Sequence, residues 1–291
     1  MNEHMRPLRF LVVGGMNMDI LGHPDRGFAQ KDSNIGKVQM KPGGVGRNIA
    51  EQLALTGAKT YLITPVGNDT FSETLKRSCQ DKGIDLSRSL SCTGSSPVYL
   101  AIHDAQGDMT AAVNDMALLD KLTPEAVKEC LEGLPSVDAA VIDANLAQST
   151  LAAVLESASF PVLADPVSNE KALRLLPVLP FLTAIKPNRM EAEAMTGEAS
   201  PEAAARKLLD IGVKQVYISL GTEGVWFADQ NESGHLPATR IAPAYLTGAG
   251  DAMCAGITVA MAQGKPAAVC AWEGQQQAAE YLKKISKEME S

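Results

Sequence analysis

The sequence predicts an α/β fold with a mostly parallel central sheet, helices on both of its faces, and a small β-sheet lid. After about residue 120, short apolar runs alternate regularly with helical patterns along the chain. Such alternation is typical of parallel strands joined by helices that cover the sheet on both sides. Two stretches nearer the N-terminus break the alternation, and they predict a second, smaller unit.

The elements of the large sheet are predicted from hydrophobic periodicity. Short apolar runs predict strands at Leu8–Gly14, Thr60–Val66, Val137–Ile142, Val162–Ala164, Thr183–Ile185 and Gln215–Leu220. Apolar residues three and four apart predict helices at Gly46–Thr56, from about Thr70 to Lys82, at Ser149–Ser159, from Asn188 onward, and at Pro201–Ile211. Asp69 or Thr70 is the expected cap of the second helix, and Gly57 and Gly83 end the first two.

The lid is predicted from the stretches that do not fit this pattern. Ser33–Lys41 has no helical stripe and looks extended. Val98–Asp104 and Met109–Asn114 flank a Gln106-Gly107-Asp108 turn, which predicts a hairpin. We therefore expect a lid of residues 19–42 and 96–114, and a large α/β domain of residues 1–18, 43–95 and 115–291.

Composition argues against several classes of protein. The 291 residues carry a formal net charge of −8 without a long basic run, so nucleic acid is an unfavourable partner. No apolar run approaches the roughly 20 residues that cross a bilayer. The five cysteines include no C-x-x-C pair, which predicts reduced thiols. We expect a cytoplasmic protein with neither nucleic-acid nor membrane partners.

The strongest local signal is Thr247-Gly248-Ala249-Gly250-Asp251, which leads into an apolar helix. Its glycines permit a tight turn whose N–H groups point the same way at a helix N-terminus, where an anion is favoured. This arrangement suits phosphoryl transfer, with the amides stabilising the migrating phosphate and Asp251 accepting the proton of the attacking hydroxyl. Taken alone, the segment can also be a glycine-rich turn in which Asp251 is only a favourable charge at a helix N-terminus.

Two segments nearer the N-terminus can bind a sugar. In Gly43-Gly44-Val45-Gly46 the bare backbone opens a helix, and Asn48 follows with two donors and an acceptor. Asn17 and Asp19 come just after the first strand, at the edge where open α/β sheets bind ligands, although Asp19 can also be a turn residue. The G-x-G-x-x-G expected after that strand of a Rossmann dehydrogenase is absent.

Two further segments lie at predicted strand ends. Asn188 and Glu191 can orient Mg²⁺ through its water shell or form a capping box, and their spacing permits both. Ser219, Gly221 and Gly224 can hold nucleotide phosphates or form an ordinary strand–loop junction. Zinc-ligand spacing, a P-loop motif and the G-x-S-x-G nucleophile elbow are all absent from the sequence.

In combination, these segments resemble the ribokinase family, also called the phosphofructokinase-B family of carbohydrate and nucleoside kinases. The resemblance runs from about residue 8 to about residue 265, and its two signature segments occur in the right order and separation. Within the family it is closest to the pseudouridine kinases. The segments that carry this closer resemblance are Asp32–Lys37, Pro42–Ala50, Asn114–Met116, Asp165–Ser168 and Lys186–Glu193.

The resemblance implies a ribokinase-like fold and a role for each matching position. Asp251 would be the general base for a sugar 5′-hydroxyl, with an anion hole formed by Gly248, Ala249 and Gly250. The substrate-binding positions would be Asn17, Asp19, Gly43, Gly44, Asn48 and Asn114. The positions along ATP would be Asn188, Ser219, Gly221, Gly224 and Thr247. Mg²⁺ would be supported by Asn188 and by Glu191 through water. The lid would shield the base side of the substrate and form a homodimer interface.

The sequence departs from the family pattern in two places. Many relatives carry an Asp at the position of Tyr245 that helps to bind a monovalent cation, so Tyr245 and Leu246 leave potassium activation open. The C-terminal tail also differs, and its spacing of Leu282, Ile285 and Met289 predicts an amphipathic surface helix without assignable adenine contacts.

The function that the resemblance implies is ATP-dependent phosphorylation of the 5′-hydroxyl of pseudouridine, which gives pseudouridine 5′-phosphate. One alternative is a kinase for another ribose-type sugar or nucleoside. An alternative of a different class is a sugar- or nucleoside-binding sensor on a kinase fold with little catalysis, because a fold alone does not determine function.

Overall fold

Fifteen strands occur in the part of the chain that this computed structural model describes, residues 6–104, 108–239 and 248–290. In chain order they are β1 (Arg9–Val13), β2 (Asn17–Pro24), β3 (Gly36–Gly43), β4 (Lys59–Ile63), β5 (Pro65–Val66), β6 (Ile84–Asp85), β7 (Leu90–Ser91), β8 (Val98–His103), β9 (Met109–Asp115), β10 (Ala139–Asp143), β11 (Val162–Asp165), β12 (Ala184–Ile185), β13 (Gln215–Ser219), β14 (Val225–Asp229) and β15 (Ser233–Leu236).

Nine of these strands form one sheet in the order β15-β14-β13-β12-β11-β10-β1-β4-β6. The strands from β13 to β6 pair in parallel, and only β14 and β15 at one edge are antiparallel. Strand order reverses beside β1, which pairs with β4 on one side and with β10 on the other. Open α/β sheets bind ligands at the carboxyl ends of the strands next to such a reversal.

The helices pack against both faces of this sheet. They are α1 (Val45–Leu55), α2 (Thr70–Asp81), α3 (Pro124–Leu131), α4 (Gln148–Ser157), α5 (Asn169–Ala172), α6 (Arg189–Thr196), α7 (Pro201–Ile211), α8 (Ala249–Ala262) and α9 (Ala267–Glu290). Alternate residues of β1 face opposite cores, because Leu11 packs with residues of α3, α4, α6 and α7, whereas Phe10 packs with residues of α1, α2, α8 and α9. Within the described ranges, no helix is both long and apolar enough to cross a membrane.

A separate four-stranded sheet, the lid, has the order β3-β2-β8-β9. The predicted pairing of the two hairpin strands is confirmed, since β8 and β9 pair antiparallel from Val98 and Asp115 outward. Gln106 and Gly107 of the predicted turn lie outside the described residues. Residues of β3 alternate in direction, so that Lys37, Gln39 and Lys41 line a cavity while Val38 and Met40 lie on the opposite face. The division at residues 19–42 and 96–114 stays a prediction, which these four strands support.

The sequence located most elements of the large sheet, and the differences have local causes. Asp69 accepts a hydrogen bond from the N–H of Ser72 at 2.9 Å, which confirms it as the cap of α2. The expected strand Thr60–Val66 is divided into β4 and β5, which pair with different partners. The antiparallel strands β14 and β15 were not predicted, although Val225–Ala228 is a short apolar run next to a polar turn.

Candidate active site

The N-terminus of α8 presents backbone N–H groups that have no hydrogen-bond partner within the helix. Gly248 is the N-cap in the left-handed region, with φ of 89°, and its Cα lies so close to the Tyr281 ring that a side chain there would overlap it. The first hydrogen bond within the helix runs from the Ala252 N–H to the Gly248 carbonyl at 3.0 Å. The N–H groups before it have no helical partner. These groups, which belong to Ala249, Gly250 and Asp251, can bind an anion.

The Asp251 side chain lies in the first turn of α8 and lines a cavity of about 1150 Å³. One of its oxygens, Oδ2, accepts a hydrogen bond at 3.0 Å from Nδ2 of Asn48 in α1. The cavity is bounded by lid strands β2 and β3, by α1 and α2, and by α9. The two signature segments, about two hundred residues apart, are therefore in direct contact at one site.

The surroundings of Asp251 give it the proton affinity of a base that works near neutral pH. Burial is the largest effect and, with the nearby negative charge of Asp165, raises the pKa of Asp251 to about 7. The hydrogen bond from Asn48 and the positive charge of Lys186 act in the opposite direction. A general base is most effective when its pKa lies near the working pH.

The polar residues expected to hold a sugar meet on the lid side of the same cavity. Asn17 donates a hydrogen bond from Nδ2 to Oδ1 of Asp19 at 2.6 Å, and Asp19 lines the cavity. Burial raises the pKa of Asp19, while Asn17 and the charges of Lys41 and Arg47 oppose this shift. The Cα of Gly43 faces the Asp19 carboxylate so closely that any side chain at this position would collide with it.

Gly44 lets α1 begin close to the end of β1. It adopts the left-handed region, with φ of 97°, and a Cβ here would collide with the Gly15 carbonyl and the Met16 Cα. The N–H of Arg47 donates to that Gly15 carbonyl at 3.1 Å. Gly44 therefore shapes the backbone of the site.

Asn114 lies farther from this cluster than the other predicted substrate residues. It belongs to the same row across the lid as Lys41, Asp19 and Tyr99, and so it shares the cavity-facing side of that sheet. It is exposed on β9, at the far edge, and is not among the residues that line the cavity.

The predicted nucleotide-binding residues meet at the ends of two neighbouring strands. Asn188, just after β12, forms a parallel bridge with Ser219 at the end of β13. Gly221 and Gly224 follow with φ of 62° and 108°, and Gly224 lies directly against the Leu236 carbonyl, where only glycine fits. Thr247 and Tyr245 lie outside the described residues.

Asn188 and Glu191 form a capping box at the start of α6. The Asn188 N–H donates to Glu191 Oε2 at 2.8 Å, and the Glu191 N–H donates to Asn188 Oδ1 at 2.9 Å. Burial and the charge of Asp165 raise the pKa of Glu191. No group of three or more potential metal ligands occurs among the described residues. This donor set fits Mg²⁺ held mainly by water and substrate phosphates, which is the usual preference of that ion.

A buried ion pair behind Asp251 was not predicted from the sequence. Lys186 Nζ lies 3.0 Å from Oδ2 of Asp165, and these residues are only 5% and 4% exposed. The same ammonium group lies beside Gly250, at 3.1 Å from where a Cβ would be. Asp165 ends β11 and Lys186 follows β12, so the strand-end rule that selected Asp19 would have selected both.

A second buried carboxyl group supports the backbone on which the site is built. Asp143 ends β10, accepts a hydrogen bond from the Gly15 N–H at 2.8 Å, and fills the space beside Gly14. Burial raises the pKa of Asp143 to about 6. Its position at the end of a predicted strand could have identified Asp143 as a site residue from the sequence.

The C-terminal tail forms α9, which confirms the expected helix and gives it a further role. Gln277, Tyr281, Lys284 and Ile285 line the cavity together with Asp251. Close packing against α8 allows this, because Gly256 contacts the backbone of Glu273 and Gly274 with no room for a side chain. The tail is therefore a wall of the candidate site as well as a surface helix.

The fold and the site together define a class of enzyme, a phosphotransferase with a hydroxyl acceptor. The chain belongs to the pfkB family of carbohydrate kinases, whose sequence profile it matches over residues 8–286. It is 34% identical over 264 residues to the pseudouridine kinase of Escherichia coli K12, covering 88% of this chain and 84% of that relative.

Solved structures agree with this assignment. The ribokinase of Thermotoga maritima superimposes with a TM-score of 0.83 at 25% identity, covering 94% of this chain and 93% of the other. A carbohydrate kinase from Agrobacterium tumefaciens gives 0.82 at 28% identity, covering 94% and 90%. The expected ribokinase-like fold is thereby confirmed.

Proposed function

We propose that this protein transfers the γ-phosphoryl group of ATP to the 5′-hydroxyl of pseudouridine, forming ADP and pseudouridine 5′-phosphate. The observation that carries the chemistry is the Asp251 carboxylate beside the N-terminal amides of α8, inside a cavity shared with the lid. The similarity to a pseudouridine kinase supports the choice of acceptor.

In the proposed reaction, Asp251 accepts the proton of the 5′-hydroxyl while the 5′-oxygen of the acceptor attacks the γ-phosphorus atom. The bond from that phosphorus atom to the β–γ bridging oxygen of ATP breaks, and ADP leaves with the electron pair. The amides at the start of α8 stabilise the negative charge on the phosphoryl oxygens. Asn17, Asp19 and Asn48 orient the ribose, and the lid excludes water that would otherwise hydrolyse ATP.

On the nucleotide side, we propose that Asn188, Ser219, Gly221, Gly224 and Thr247 bind ATP. Mg²⁺, held by the phosphates and through water by Glu191 and Asn188, would neutralise phosphate charge. Lys186 adds a fixed positive charge beside Gly250, close to the proposed anion hole.

The reaction should lose rate on the acidic side of neutrality. A pKa of about 7 for Asp251 means that the carboxyl group is increasingly protonated below pH 7 and cannot accept another proton. We expect kcat/KM for the acceptor to fall about tenfold per pH unit well below pH 7 and to level off above pH 8. Initial rates of ADP release between pH 5 and 9 measure this, and a flat profile would contradict the assignment of Asp251.

The substrate is tested with purified protein, Mg²⁺-ATP and a panel of acceptors: pseudouridine, uridine, cytidine, inosine and ribose. We expect the highest kcat/KM for pseudouridine, and mass spectrometry of the product should show one added phosphate. ATP without acceptor measures background hydrolysis.

Other outcomes of this panel separate the alternatives. A higher kcat/KM for another acceptor would favour a kinase for a different ribose-type sugar or nucleoside. One structural relative carries the name ribokinase. Binding of nucleosides without ADP release would favour the alternative of a nucleoside-binding sensor with little catalysis. The family membership and the presence of Asp251 in the site both argue against that alternative.

We also propose that two copies associate through the lid. The face opposite the cavity carries a row of apolar residues across all four strands, namely Met40, Ile20, Leu100 and Val113. Met40 and Val113 are 64% and 67% exposed, and Val38 continues the same face. An exposed apolar sheet face of this kind is typical of an interaction surface.

Charged substitutions on this face should separate the copies. We expect the parent protein to have a mass near twice 30.8 kDa by light scattering, and Met40→Lys/Val113→Lys to have the mass of one chain. Phe181→Lys is the matched control, because Phe181 is 70% exposed but lies away from the lid. A parent protein of single-chain mass at micromolar concentration would refute the dimer.

A cytoplasmic location is part of the same proposal. The reaction consumes ATP, and all five cysteines are free thiols, of which Cys79, Cys254 and Cys270 are buried. Free thiols are typical of reducing compartments.

A further inference from the structure

Arg47 is a buried cation with no role in the reaction as described above. It lies in the first turn of α1 and is only 6% exposed. Its Nη1 donates to Oδ1 of Asn48 at 2.8 Å, and its Nη2 donates to Oε2 of Glu51 at 2.5 Å. A weaker contact joins Nη2 to the Ser78 hydroxyl at 3.3 Å. Buried arginine forks hold their partners in a defined geometry.

The Asn48 side chain bridges this guanidinium group and the Asp251 carboxylate. Its oxygen accepts from Arg47, and its NH₂ group donates to Asp251 Oδ2 at 3.0 Å. Reversing the amide would set N–H against N–H on one side and oxygen against carboxylate oxygen on the other. The charges on the two sides thus determine the orientation of the amide, which follows from the hydrogen-bond network.

The Arg47 guanidinium group is itself fixed by an ion pair with Glu51. Glu51, one helical turn further along α1, uses Oε2 for Arg47 and Oε1 for Lys82 of α2, whose Nζ is 2.9 Å away. Burial alone would raise the pKa of Glu51, but these two cations lower it overall. The result is a continuous chain of contacts, Lys82–Glu51–Arg47–Asn48–Asp251.

We propose that Arg47 is a positioning residue that locks the Asn48 amide with its NH₂ group directed at Asp251. The effect on catalysis rests on the proposed function, whereas the orientation of the amide rests only on the hydrogen bonds. During the reaction Asp251 becomes protonated, and a protonated carboxyl group is a donor as well as an acceptor. Without Arg47, the Asn48 amide can reverse and accept from it, which stabilises the protonated, inactive base. With Arg47 in place, the Asn48 NH₂ group stays directed at Asp251 and favours the ionised form of that carboxyl group during the reaction.

Other charged groups also act on Asp251, and the test must separate them from this chain of contacts. They are Asp165 of β11, Asp143 of β10, and Lys186, which follows β12. None of them contacts Arg47 or Asn48 through a hydrogen bond among those found in the described residues. Substitutions in α1 therefore leave them in place.

The decisive measurement is a titration that needs no turnover. The carboxyl carbon of Asp251 is followed by ¹³C NMR against pH in the parent protein, Arg47→Met, Asn48→Ala and the double variant, with Asp251→Asn to assign the signal. We expect Arg47→Met to raise the midpoint by roughly half to one pH unit, and Asn48→Ala to do the same. The double variant should equal Asn48→Ala, because Arg47 acts only through Asn48.

Two results would overturn the proposal. The first is an unchanged midpoint in Arg47→Met. The second is an additive shift in the double variant, which would mean that Arg47 acts on Asp251 through space as a charge. If Arg47→Met does not fold, Arg47→Lys replaces it, since one donor to Asn48 survives and an intermediate midpoint is expected.

Kinetics then connect the orientation to catalysis. With the best acceptor from the panel, we expect Arg47→Met to lower kcat about two- to fivefold at pH 7 and about three- to tenfold well below it, with little loss above pH 9. KM for ATP should be unchanged, and Arg47→Lys should give partial rescue. Arg206→Met is the matched control, because Arg206 forms an exposed i,i+4 pair with Glu202 in α7. A uniform loss at every pH would indicate a merely structural role. If no acceptor is phosphorylated, the proposed function fails, and the titration still decides the role of Arg47.

Discussion

Asp251→Asn is expected to lower kcat by about 10²–10⁴-fold, the usual contribution of a general base. The new side chain has the same shape and can still accept the hydrogen bond from Asn48, so KM for both substrates should change little. What it loses is the ability to take the proton of the acceptor hydroxyl. Single-turnover rates at pH 8 with Mg²⁺-ATP and the best acceptor measure this directly.

The same variant supplies its own control for folding. An ionised carboxyl group whose pKa is raised in the folded protein is less stable there than in the unfolded chain, so Asp251 lowers stability above pH 7. Removing the charge should therefore leave Tm unchanged or higher at pH 8. A kcat close to that of the parent would show that another group accepts the proton.

Lys186→Met is expected to lower the free energy of unfolding by about 3–5 kcal/mol, because it leaves the Asp165 charge buried without its partner. Both side chains are almost fully inaccessible. Among the described residues, Asp165 would retain two neutral donors, the Val167 N–H at 2.8 Å from Oδ1 and the Cys254 thiol at 3.3 Å from Oδ2, and no cation. The loss of the positive charge should also raise the pKa of Asp251, because Lys186 opposes the upward shift that burial and the charge of Asp165 produce. Urea unfolding gives the first quantity, and the pH profile of kcat/KM gives the second.

Two further variants make this prediction specific. Asp165→Asn/Lys186→Met removes both charges and should recover much of the lost stability, since a buried pair removed as a whole costs little. Lys128→Met breaks the exposed pair with Glu156 and should change stability by less than about 1 kcal/mol. Equal losses in Lys186→Met and Lys128→Met would mean that burial of the Asp165–Lys186 pair is unimportant.

The sequence predicted those features that depend on neighbouring residues. The buried strand at Leu8–Gly14, the cap at Asp69 and the glycines before α1 and α8 all follow from spacing and backbone preference within a few residues. The same local rule predicted strand ends, and so it identified Asn17, Asp19 and Ser219 as candidate residues. The family resemblance then joined two segments that no local rule relates to each other.

By itself, therefore, the sequence determined the α/β class, the places where strands end at the site, and the candidate base Asp251. Only the tertiary structure decided which side chains meet there: Asn48 on Asp251, Arg47 on Asn48, Lys186 on Asp165, and Tyr281 of α9 against Gly248. The physical reason is the distance along the chain over which each effect acts. Backbone preference and hydrophobic periodicity act over a few residues, whereas the pKa of Asp251 depends on burial and charges contributed by strands and helices distant along the chain.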